Sequence, residues 1–372
     1  MKFFMGENRK IKVLFVASEY APGMIPFAAT IINTLAGDDR FEVHCVCVNS
    51  KNKSYNGMVV EQAHSTYIEY PRSKAVKMIY KLWPFRVIEE INKIRKEYKP
   101  DVVHFLTGDF TLASYVRYYH DATMYYTVHD LHPHEVKLNT FLEKVIFKDV
   151  VWGYRVCRES IDNLTTSSFT QLKELKQLYG CKKCEYTPFP TLVVPSIMQG
   201  TKVPEELKYI DDYVLFFGSV NSYKGVDLLI KAFESSPRNK KYKMVIAGKG
   251  QEYPTKSSDI IRINRFIEDG EIAQLFKRAK FVVYPYISAT MSGVLSLAYY
   301  FNKLVLASDI PFFKENATSN VSFFRAGDIN DLRNHLEDML ENTDSYLIDK
   351  TSYERLFGEK TLRDAYWKFY TE

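Results

Sequence analysis

The stretch from Tyr284 to Asp309 constrains the fold of this 372-residue chain more than any other. It predicts a β-rich strand, a loop of small and hydroxylated residues, an apolar helix and a second buried strand. These segments are 281–284, 288–293, 294–301 and 304–307. In a parallel sheet, the loop of such a βαβ unit lies at the carboxyl ends of the strands and presents backbone N–H groups to a ligand. The loop Thr290-Met291-Ser292-Gly293 therefore indicates an anion site, most simply for phosphate, while an ordinary βα turn with Ser292 as N-cap fits the same residues.

The same alternation of strands and helices extends over nearly the whole chain and predicts an α/β fold. Further strands are predicted at 11–18, 41–48, 102–105, 124–128, 163–166, 213–217 and 244–247, and further helices at 27–35, 226–234, 271–278 and 362–370. Prolines 188, 190, 195 and 204 punctuate a stretch without periodicity, which we interpret as a linker. We predict two Rossmann-like domains facing each other across a cleft. They cover 1–195 and 196–355, and a C-terminal helix in 356–372 can cross back to the first domain.

Composition excludes several classes of protein. An apolar content of 46% indicates a globular chain, and a formal charge of +5 is well short of the concentrated excess of a nucleic-acid binder. Residues 1–18 hold neither a long apolar run nor a small-residue cleavage site, and no window approaches the roughly 18 uncharged apolar residues of a membrane span. We therefore expect a cytoplasmic protein without a spanning helix.

Two motifs that would indicate a cofactor are incomplete. Cys181 and Cys184 have CxxC spacing, but no second Cys or His pair follows at zinc spacing. The loop after the first strand contains a single glycine, Gly23, so the dinucleotide fingerprint GxGxxG is absent. We expect no metal, and a nicotinamide enzyme is disfavoured.

Three loops of the second half carry the residues expected to bind an anion. In the first, Lys224 follows the strand and the small residues Gly218 and Ser219, and is placed to neutralise charge on a diphosphate. By itself the same lysine fits a solvated loop. A second strand ends in Ala247-Gly248-Lys249-Gly250, and Arg265 to Gly270 precedes a helix. Because carboxyl ends of parallel strands share one edge, we expect these loops to converge.

Together these motifs resemble the donor half of the family 4 glycosyltransferases, which are retaining enzymes with the two-domain GT-B fold. The resemblance is strong over 213–340, includes Gly327-Asp328-Ile329-Asn330-Asp331-Leu332, and is weak before 190. It implies that the first domain is the acceptor side and the second the nucleotide-sugar donor side. It also implies that Lys224 binds the diphosphate, that the Ile267 backbone meets the base, and that the amides of Ser292 to Val294 hold the phosphate.

The predicted site residues follow from the loops and the resemblance together. The catalytic candidates are His129 and Lys224. The donor-binding candidates are Gly23, Ser219, Lys224, Gly248, Ile267, Thr290, Met291, Ser292, Gly293 and Val294.

The chain departs from the family at three positions. Two glutamates of the family, one that contacts the transferred sugar and one that contacts the ribose, are replaced by Ala289 and Leu297, and an arginine by Ser219. Thr290-Met291-Ser292-Gly293-Val294 resembles relatives in which a Thr-x-Ser-Gly-Val loop replaces the glutamate motif. The replacements leave open whether Thr290, Ser292 or a neighbour substitutes or whether activity is lost.

His129 stands at the end of a predicted strand of the first half. His132 and His134 follow it, but this spacing fits no common zinc pattern. In enzymes of the resembled family a histidine at this strand end faces the donor sugar, so we expect His129 to make a polar contact rather than act as a base. A histidine that merely caps the strand is the alternative. Gly23, with Glu19 nearby, would let the first loop approach the phosphates or the acceptor.

The segment from Arg72 to Lys99 is basic and aromatic. It contains nine basic residues against three acids and interleaves them with Trp83, Phe85 and other apolar residues. Such a pattern suits an anionic membrane surface, and it equally suits a solvated helix with a core-facing stripe.

The resemblance implies a retaining glycosyltransferase, and the absence of an Asp-x-Asp pair predicts that it needs no metal. We expect a UDP-sugar donor, with a GDP-sugar next, and a glycan or lipid-linked glycan acceptor in surface polysaccharide biosynthesis, such as that of lipopolysaccharide. We expect no nucleic-acid partner, and peripheral contact with the inner face of the membrane through Arg72 to Lys99. Two alternatives stay open: an inactive nucleotide-sugar or glycan binder, and a synthase that uses a free sugar phosphate.

Overall fold

The computed structural model describes residues 9–18, 24–48, 58–70, 73, 83–132, 141–236 and 241–372, without side chains at 141–146. The chain divides into two compact units. The first comprises Met1–Pro190 and Glu359–Glu372, and the second Thr191–Gly358.

The first unit is built on a parallel sheet of seven strands in the order β3-β2-β1-β4-β5-β6-β7. The strands are β1 Ile11–Ser18, β2 Phe41–Val48, β3 His64–Ile68, β4 Val102–Phe105, β5 Met124–Thr127, β6 Asn163–Thr166 and β7 Lys183–Tyr186. The helices are α1 Met24–Ala36, α2 Phe85–Tyr98, α3 Phe110–Tyr119, α4 Phe141–Ser160 and α5 Phe169–Leu178.

Helices cover both faces of this sheet, as the uninterrupted apolar run of β1 requires. Val13 and Phe15 pack on one face, and Leu14 and Val16 on the other. The first face is completed by the last helix of the chain, Glu359–Thr371, which buries Leu362, Tyr366, Phe369 and Tyr370 in the same core cluster as α1.

The second unit repeats the plan with six parallel strands in the order β10-β9-β8-β11-β12-β13. The strands are β8 Tyr213–Phe217, β9 Met244–Ala247, β10 Ile260–Ile263, β11 Ala279–Tyr284, β12 Val305–Ser308 and β13 Val321–Phe324. The helices, with the last one of the chain, are α6 Pro195–Met198, α7 Val226–Ser235, α8 Asp269–Arg278, α9 Val294–Tyr300, α10 Pro311–Glu315, α11 Ile329–Asn342, α12 Ser352–Phe357 and α13 Glu359–Thr371. The chain reverses its strand order at β8 and β11, where a Rossmann-like sheet binds ligands.

The unit boundaries differ slightly from the predicted 195 and 355. The second unit begins at Thr191. Leu192 N–H donates to Ser296 Oγ at 3.0 Å, and the Tyr353 hydroxyl donates a hydrogen bond to Thr191 Oγ1. It extends through Gly358, since Phe357 packs against Tyr299 at a ring distance of 6.0 Å. The proline-rich stretch predicted as linker therefore belongs largely to the second unit.

Candidate functional site

Lys224 lies at the carboxyl edge of the second sheet, one loop after β8. A single 3-10 turn, Ser222–Lys224, carries it, and its side chain is only 7% exposed. A Cβ placed on Gly218 would lie 3.2 Å from Lys224 Nζ and 3.8 Å from Val294 Cγ1. The ammonium group and the start of α9 therefore meet at Gly218.

The electrostatic surroundings of Lys224 are incomplete. Nζ lies 5.2 Å from the ring centre of Tyr286 and 5.9 Å from that of Tyr223, which offers cation–π attraction. No carboxylate of the described residues compensates its charge, and burial lowers the pKa of Lys224 to about 8. Because a buried cation is costly unless paired, this arrangement favours an anionic ligand.

The loop after β11 is tied to the Lys224 turn by close backbone contacts. Ile287 N–H donates to Tyr223 O at 2.8 Å. Gly225 has a φ of 63°, and a Cβ there would lie 2.0 Å from Pro285 O, so only glycine permits this approach. These contacts fix the position of the Tyr286 ring next to Lys224 Nζ.

The predicted anion loop ends in a turn at Gly293. Thr290, Met291 and Ser292 are half-buried, and the N–H groups of Ser292, Gly293 and Val294 find no acceptor in the part of the chain that the structure describes. The N-cap of α9 is Gly293 and it makes no side-chain cap bond, so the alternative interpretation of Ser292 as N-cap is wrong.

Leu192 holds this turn from behind. A Cβ on Gly293 would lie 2.4 Å from Leu192 Cγ, while Ser296 Oγ donates to Gly293 O at 2.6 Å and accepts from Leu192 N–H. Sequence reasoning missed Leu192 and Tyr286. Leu192 has no polar group and Tyr286 stands in an aromatic and apolar run, so only the folded contacts reveal them.

The β9 loop joins the same edge. Gly248 has a φ of 146°, and a Cβ there would lie 2.0 Å from Gly218 O, so these two predicted loops press directly on each other. Ser219 is exposed and accepts a hydrogen bond from Asn221 Nδ2 at 3.2 Å. The convergence of the β8, β9 and β11 loops follows the expectation from a parallel sheet.

Ile267 lies in the loop after β10 and is itself 5% exposed. Arg265 stiffens this loop through Glu271, with Nη1 2.7 Å from Oε2. The hydrogen bond from Arg265 holds the pKa of Glu271 below its usual range. Glu268 and Glu271 also form a capping box at the start of α8. The contacts that join Lys224, Gly248 and Gly293 do not include Ile267.

His129 follows β5 in the first unit. Its Nε2 lies 2.6 Å from Leu106 O, so this nitrogen donates and Nδ1 is an acceptor. Burial lowers the pKa of His129, which favours the neutral imidazole of a polar contact. His132 instead meets Glu174 at 2.5 Å, and Gly23, Glu19 and His134 lie outside the described residues.

Other predicted features are placed as follows. Leu297 is 1% exposed in the core of the second unit, so it cannot replace the family's carboxylate, and Ala289 is half-buried. Within the described ranges, no group of three His, Cys, Asp or Glu residues is arranged to hold a metal ion, and the five cysteines form no disulfide. No helix in those ranges is both long and apolar enough to cross a bilayer.

The basic segment is described only in part. Its helix α2 buries Val87, Ile88 and Ile91, as the core-facing interpretation expects. Trp83, just before that helix, is 68% exposed. Residues 74–82 lie outside the described ranges.

Comparison with known proteins agrees with this architecture. Residues 201–352 match the family model for glycosyl transferases group 1. No curated protein matches the chain by sequence.

Similar solved structures extend over both units. Anabaena HepE in complex with UDP has a TM-score of 0.67 at 14% identity, over 96% of this chain and 99% of that one. Sucrose-phosphate synthase from Thermosynechococcus elongatus has a TM-score of 0.63 at 14% identity, over 98% of this chain and 96% of that one. WaaG, a glycosyltransferase involved in lipopolysaccharide biosynthesis, has a TM-score of 0.55 at 15% identity, over 95% of this chain and 94% of that one.

The fold is therefore GT-B, and residues 201–352 match the family model for glycosyl transferases group 1. The second unit carries a group 1 glycosyl transferase domain, which supports the predicted class of hexosyltransferase-type enzyme. The predicted fold is confirmed, and the match of the second unit supports the resemblance to family 4 and the predicted enzyme class.

Proposed function

We propose that this enzyme moves a hexose from a nucleotide diphosphate sugar to a glycan or lipid-linked glycan, with retention of configuration and without a metal. The observation that carries the proposal is Lys224, a buried cation without a carboxylate among the described residues. Its ammonium group meets the start of α9 at Gly218, beside the loop whose amides have no described acceptor. This combination suits a diphosphate.

In the proposed mechanism, Lys224 and the amides of Ser292 to Val294 stabilise the departing diphosphate. Negative charge grows on this group as the sugar–phosphate bond breaks, and donors fixed in a dry site stabilise it more than water does. A buried lysine can supply the positive charge that a divalent ion supplies elsewhere. The neutral imidazole of His129 serves as a hydrogen-bond acceptor for a sugar hydroxyl.

A UDP-sugar is the favoured donor, with a GDP-sugar next. HepE, which has the same fold, was solved with UDP, and WaaG takes part in lipopolysaccharide biosynthesis. We extend both properties to this chain as a proposal: a UDP-sugar donor and a role in surface polysaccharide biosynthesis. Titration with UDP, GDP and ADP tests the base, and a tighter complex with GDP or ADP would overturn the UDP assignment.

A matched pair of lysine variants tests the diphosphate site. We expect Lys224→Gln to weaken UDP binding by roughly ten- to a hundredfold, as for a lost charge-assisted hydrogen bond. The slow release of UDP from a UDP-hexose should fall at least as much. Lys231→Gln is the control, because Lys231 is exposed on α7 and its Nζ pairs with Asp227 at 3.4 Å. Equal UDP affinity of the two variants would contradict the proposal.

Retention can be tested with methanol as a surrogate acceptor. An α-linked UDP-glucose should give methyl α-glucoside, which proton NMR distinguishes from the β-anomer. The β-product would show inversion. Binding of several donors without any turnover, with or without acceptors, would favour the inactive binder that the replaced glutamates at Ala289 and Leu297 suggest.

We also propose a cytoplasmic location with peripheral contact to the inner face of the membrane through Arg72 to Lys99. The ring centre of the exposed Trp83 lies 4.9 Å from that of Phe85, and the ring centre of Phe85 lies 5.7 Å from that of Tyr118. Tyr118 is 61% exposed. Arg86 is exposed beside them. Exposed aromatic rings beside basic residues suit a lipid headgroup region. Equal co-sedimentation with anionic and neutral vesicles would contradict this contact.

A further inference from the structure

Tyr286 carries a buried hydroxyl without a partner beside the Lys224 site. The residue is fully buried, and its hydroxyl forms no hydrogen bond within the part of the chain that the structure describes. The cation–π contact with Lys224 involves the ring of Tyr286 and leaves the hydroxyl unexplained. Buried polar side-chain atoms are nearly always hydrogen-bonded, so an unpaired one next to a candidate ligand site calls for an explanation.

Packing fixes the position of Tyr286. Its backbone oxygen accepts a hydrogen bond from Ser308 Oγ at 2.6 Å. Its ring centre lies 5.2 Å from that of Phe313 and 5.9 Å from that of Tyr284. Because close-packed interiors resist displacement, the phenol does not move to seek a partner, and a partner has to come to it.

The Ser292 side chain is a polar neighbour of this hydroxyl. Burial raises the pKa of Tyr286, and the Ser292 side chain opposes that increase, as a hydroxyl close to a phenol does. The two side chains therefore interact, although the Tyr286 hydroxyl forms no hydrogen bond among the described residues. Since the phenol stays protonated, it has a proton to donate.

The loop that carries Ser292 spans two fixed points. At one end Ile287 N–H donates to Tyr223 O at 2.8 Å, and at the other Gly293 is held by Leu192. Residues 288–292 between these points belong to no helix or strand, and Ser292 is half-buried. A small shift of this span, or a rotation of the Ser292 side chain, is enough to align the two hydroxyls.

A phosphate group would determine the direction of the hydrogen bonds. The oxygens of an ionised phosphate accept, so a serine that faces them must donate its single O–H. The serine oxygen can then accept from a second hydroxyl, and Tyr286 has one to offer. Each hydrogen bond in such a chain polarises the next one and strengthens it.

We infer that Tyr286 is a positioning residue of the diphosphate site, whose hydroxyl donates to Ser292 Oγ while Ser292 donates to a phosphate oxygen. The inference rests on the proposed function, since the phosphate belongs to the nucleotide diphosphate. Tyr286 then serves both cationic and polar parts of the site, with its ring next to Lys224 Nζ and its hydroxyl behind Ser292.

Tyr286→Phe tests this role, because it keeps the ring and removes the hydroxyl. The hydroxyl is unpaired without ligand, so its loss should not lower the thermal midpoint of the free protein. UDP affinity, measured by calorimetric titration, should fall by about tenfold, as for a lost hydrogen bond. A residue that only supported the fold would show the opposite pattern.

Tyr213→Phe is the matched control. Tyr213 is also fully buried in the second unit, and its hydroxyl donates to Leu275 O at 2.8 Å. Its loss should lower the thermal midpoint, because Leu275 O then lacks this donor, and should leave UDP affinity unchanged.

A double-mutant cycle with Ser292→Ala tests the link between the two hydroxyls. Ser292→Ala should weaken UDP binding in the wild type, and adding Tyr286→Phe to it should cause little further loss, because Tyr286 acts through Ser292. Additive losses would show that Tyr286 does not act through Ser292 and would overturn the inference.

The inference and the proposed function can fail separately. If the wild type binds UDP and Tyr286→Phe binds it equally well, the positioning role is overturned and the diphosphate site stands. If the wild type binds no nucleoside diphosphate, the proposed function fails, and the inference fails with it.

Discussion

Lys224 shows how one residue acquires its role from its burial. The sequence placed a lysine after a strand and a small-residue loop, and a solvated side chain fitted that pattern as well as a diphosphate ligand did. Its exposure of 7% excludes the solvated alternative. The loss of hydration that lowers the pKa of Lys224 to about 8 also makes an incoming anion more stabilising.

The lowered pKa predicts that UDP affinity depends on pH. The charged lysine binds the anion, so the affinity should be constant below about pH 8 and fall by up to roughly tenfold per unit above it, where the free protein loses this proton. Calorimetric titration between pH 7 and 9.5 measures the profile. Lys224→Arg should flatten it, because arginine stays charged. An identical decline in both proteins would assign the effect to another group.

At the scale of elements, the outer strands of each sheet were not predicted from the sequence. The four strands that the periodicity did not predict are β3, β7, β10 and β13, and these are the two outer strands of each sheet. They are short and include residues such as His64, Lys183 and Arg262, which soften the apolar signal. Central strands are buried on both faces and therefore read as continuous apolar runs.

The turn between β11 and α9 depends on an element that precedes the sheet. Because Leu192 occupies the space where a Cβ of residue 293 would stand, Gly293→Ala should displace the turn and weaken UDP binding by about tenfold or more. Leu192→Ala should restore part of this loss when combined with it. A double-mutant cycle on UDP affinity measures the coupling.

Gly270→Ala serves as the control for this cycle. Gly270 lies in α8 and a Cβ there meets nothing within 4 Å, so the substitution should leave UDP affinity unchanged. Additive effects of Gly293→Ala and Leu192→Ala would show that Leu192 does not hold the turn.

At the scale of the whole molecule, the end of the chain completes the unit in which the chain begins. The hydroxyl of Tyr370 in α13 lies 2.6 Å from His104 Nδ1, and His104 Nε2 lies 2.9 Å from Thr127 Oγ1. This chain of hydrogen bonds joins the last helix to β4 and β5 through a fully buried imidazole. Burial lowers the pKa of His104 to about 3.

This imidazole predicts an acid-sensitive first unit. In the unfolded chain His104 takes up a proton near the ordinary histidine pKa of 6.5, whereas in the folded state it stays neutral until about pH 3. The stability is therefore complete above pH 6.5 and is lost as the pH falls below it, by up to about 1.4 kcal/mol per pH unit. Urea unfolding at pH 7 and 5 measures the slope, and tryptophan fluorescence follows this unit, since Trp83, Trp152 and Trp367 all belong to it.

His104→Gln should reduce this pH dependence, because glutamine does not titrate and can still bond to Thr127 or Tyr370. The exposed His120 provides the control, and His120→Gln should keep the wild-type slope. If all three proteins lose stability equally between pH 7 and 5, another group governs the acid response.

The sequence by itself determined the central strands, the α/β class, the resemblance to family 4 and the loops around Lys224, Gly248 and Gly293. Each of these depends on local patterns, such as a buried run, a glycine after a strand or a lysine at fixed spacing. These patterns are readable one segment at a time.

Only the tertiary structure decided the edge strands, the charge environment of Lys224, the support of Gly293 by Leu192 and the hydrogen bond of His129 to Leu106. His129 stands 23 residues beyond Leu106 in the chain, and Leu192 stands 101 residues before Gly293. Such contacts depend on burial and on strand register, which arise only when distant segments pack together. The sequence could therefore indicate the chemistry of the loops, while packing decided which atoms are left without a partner and available to a ligand.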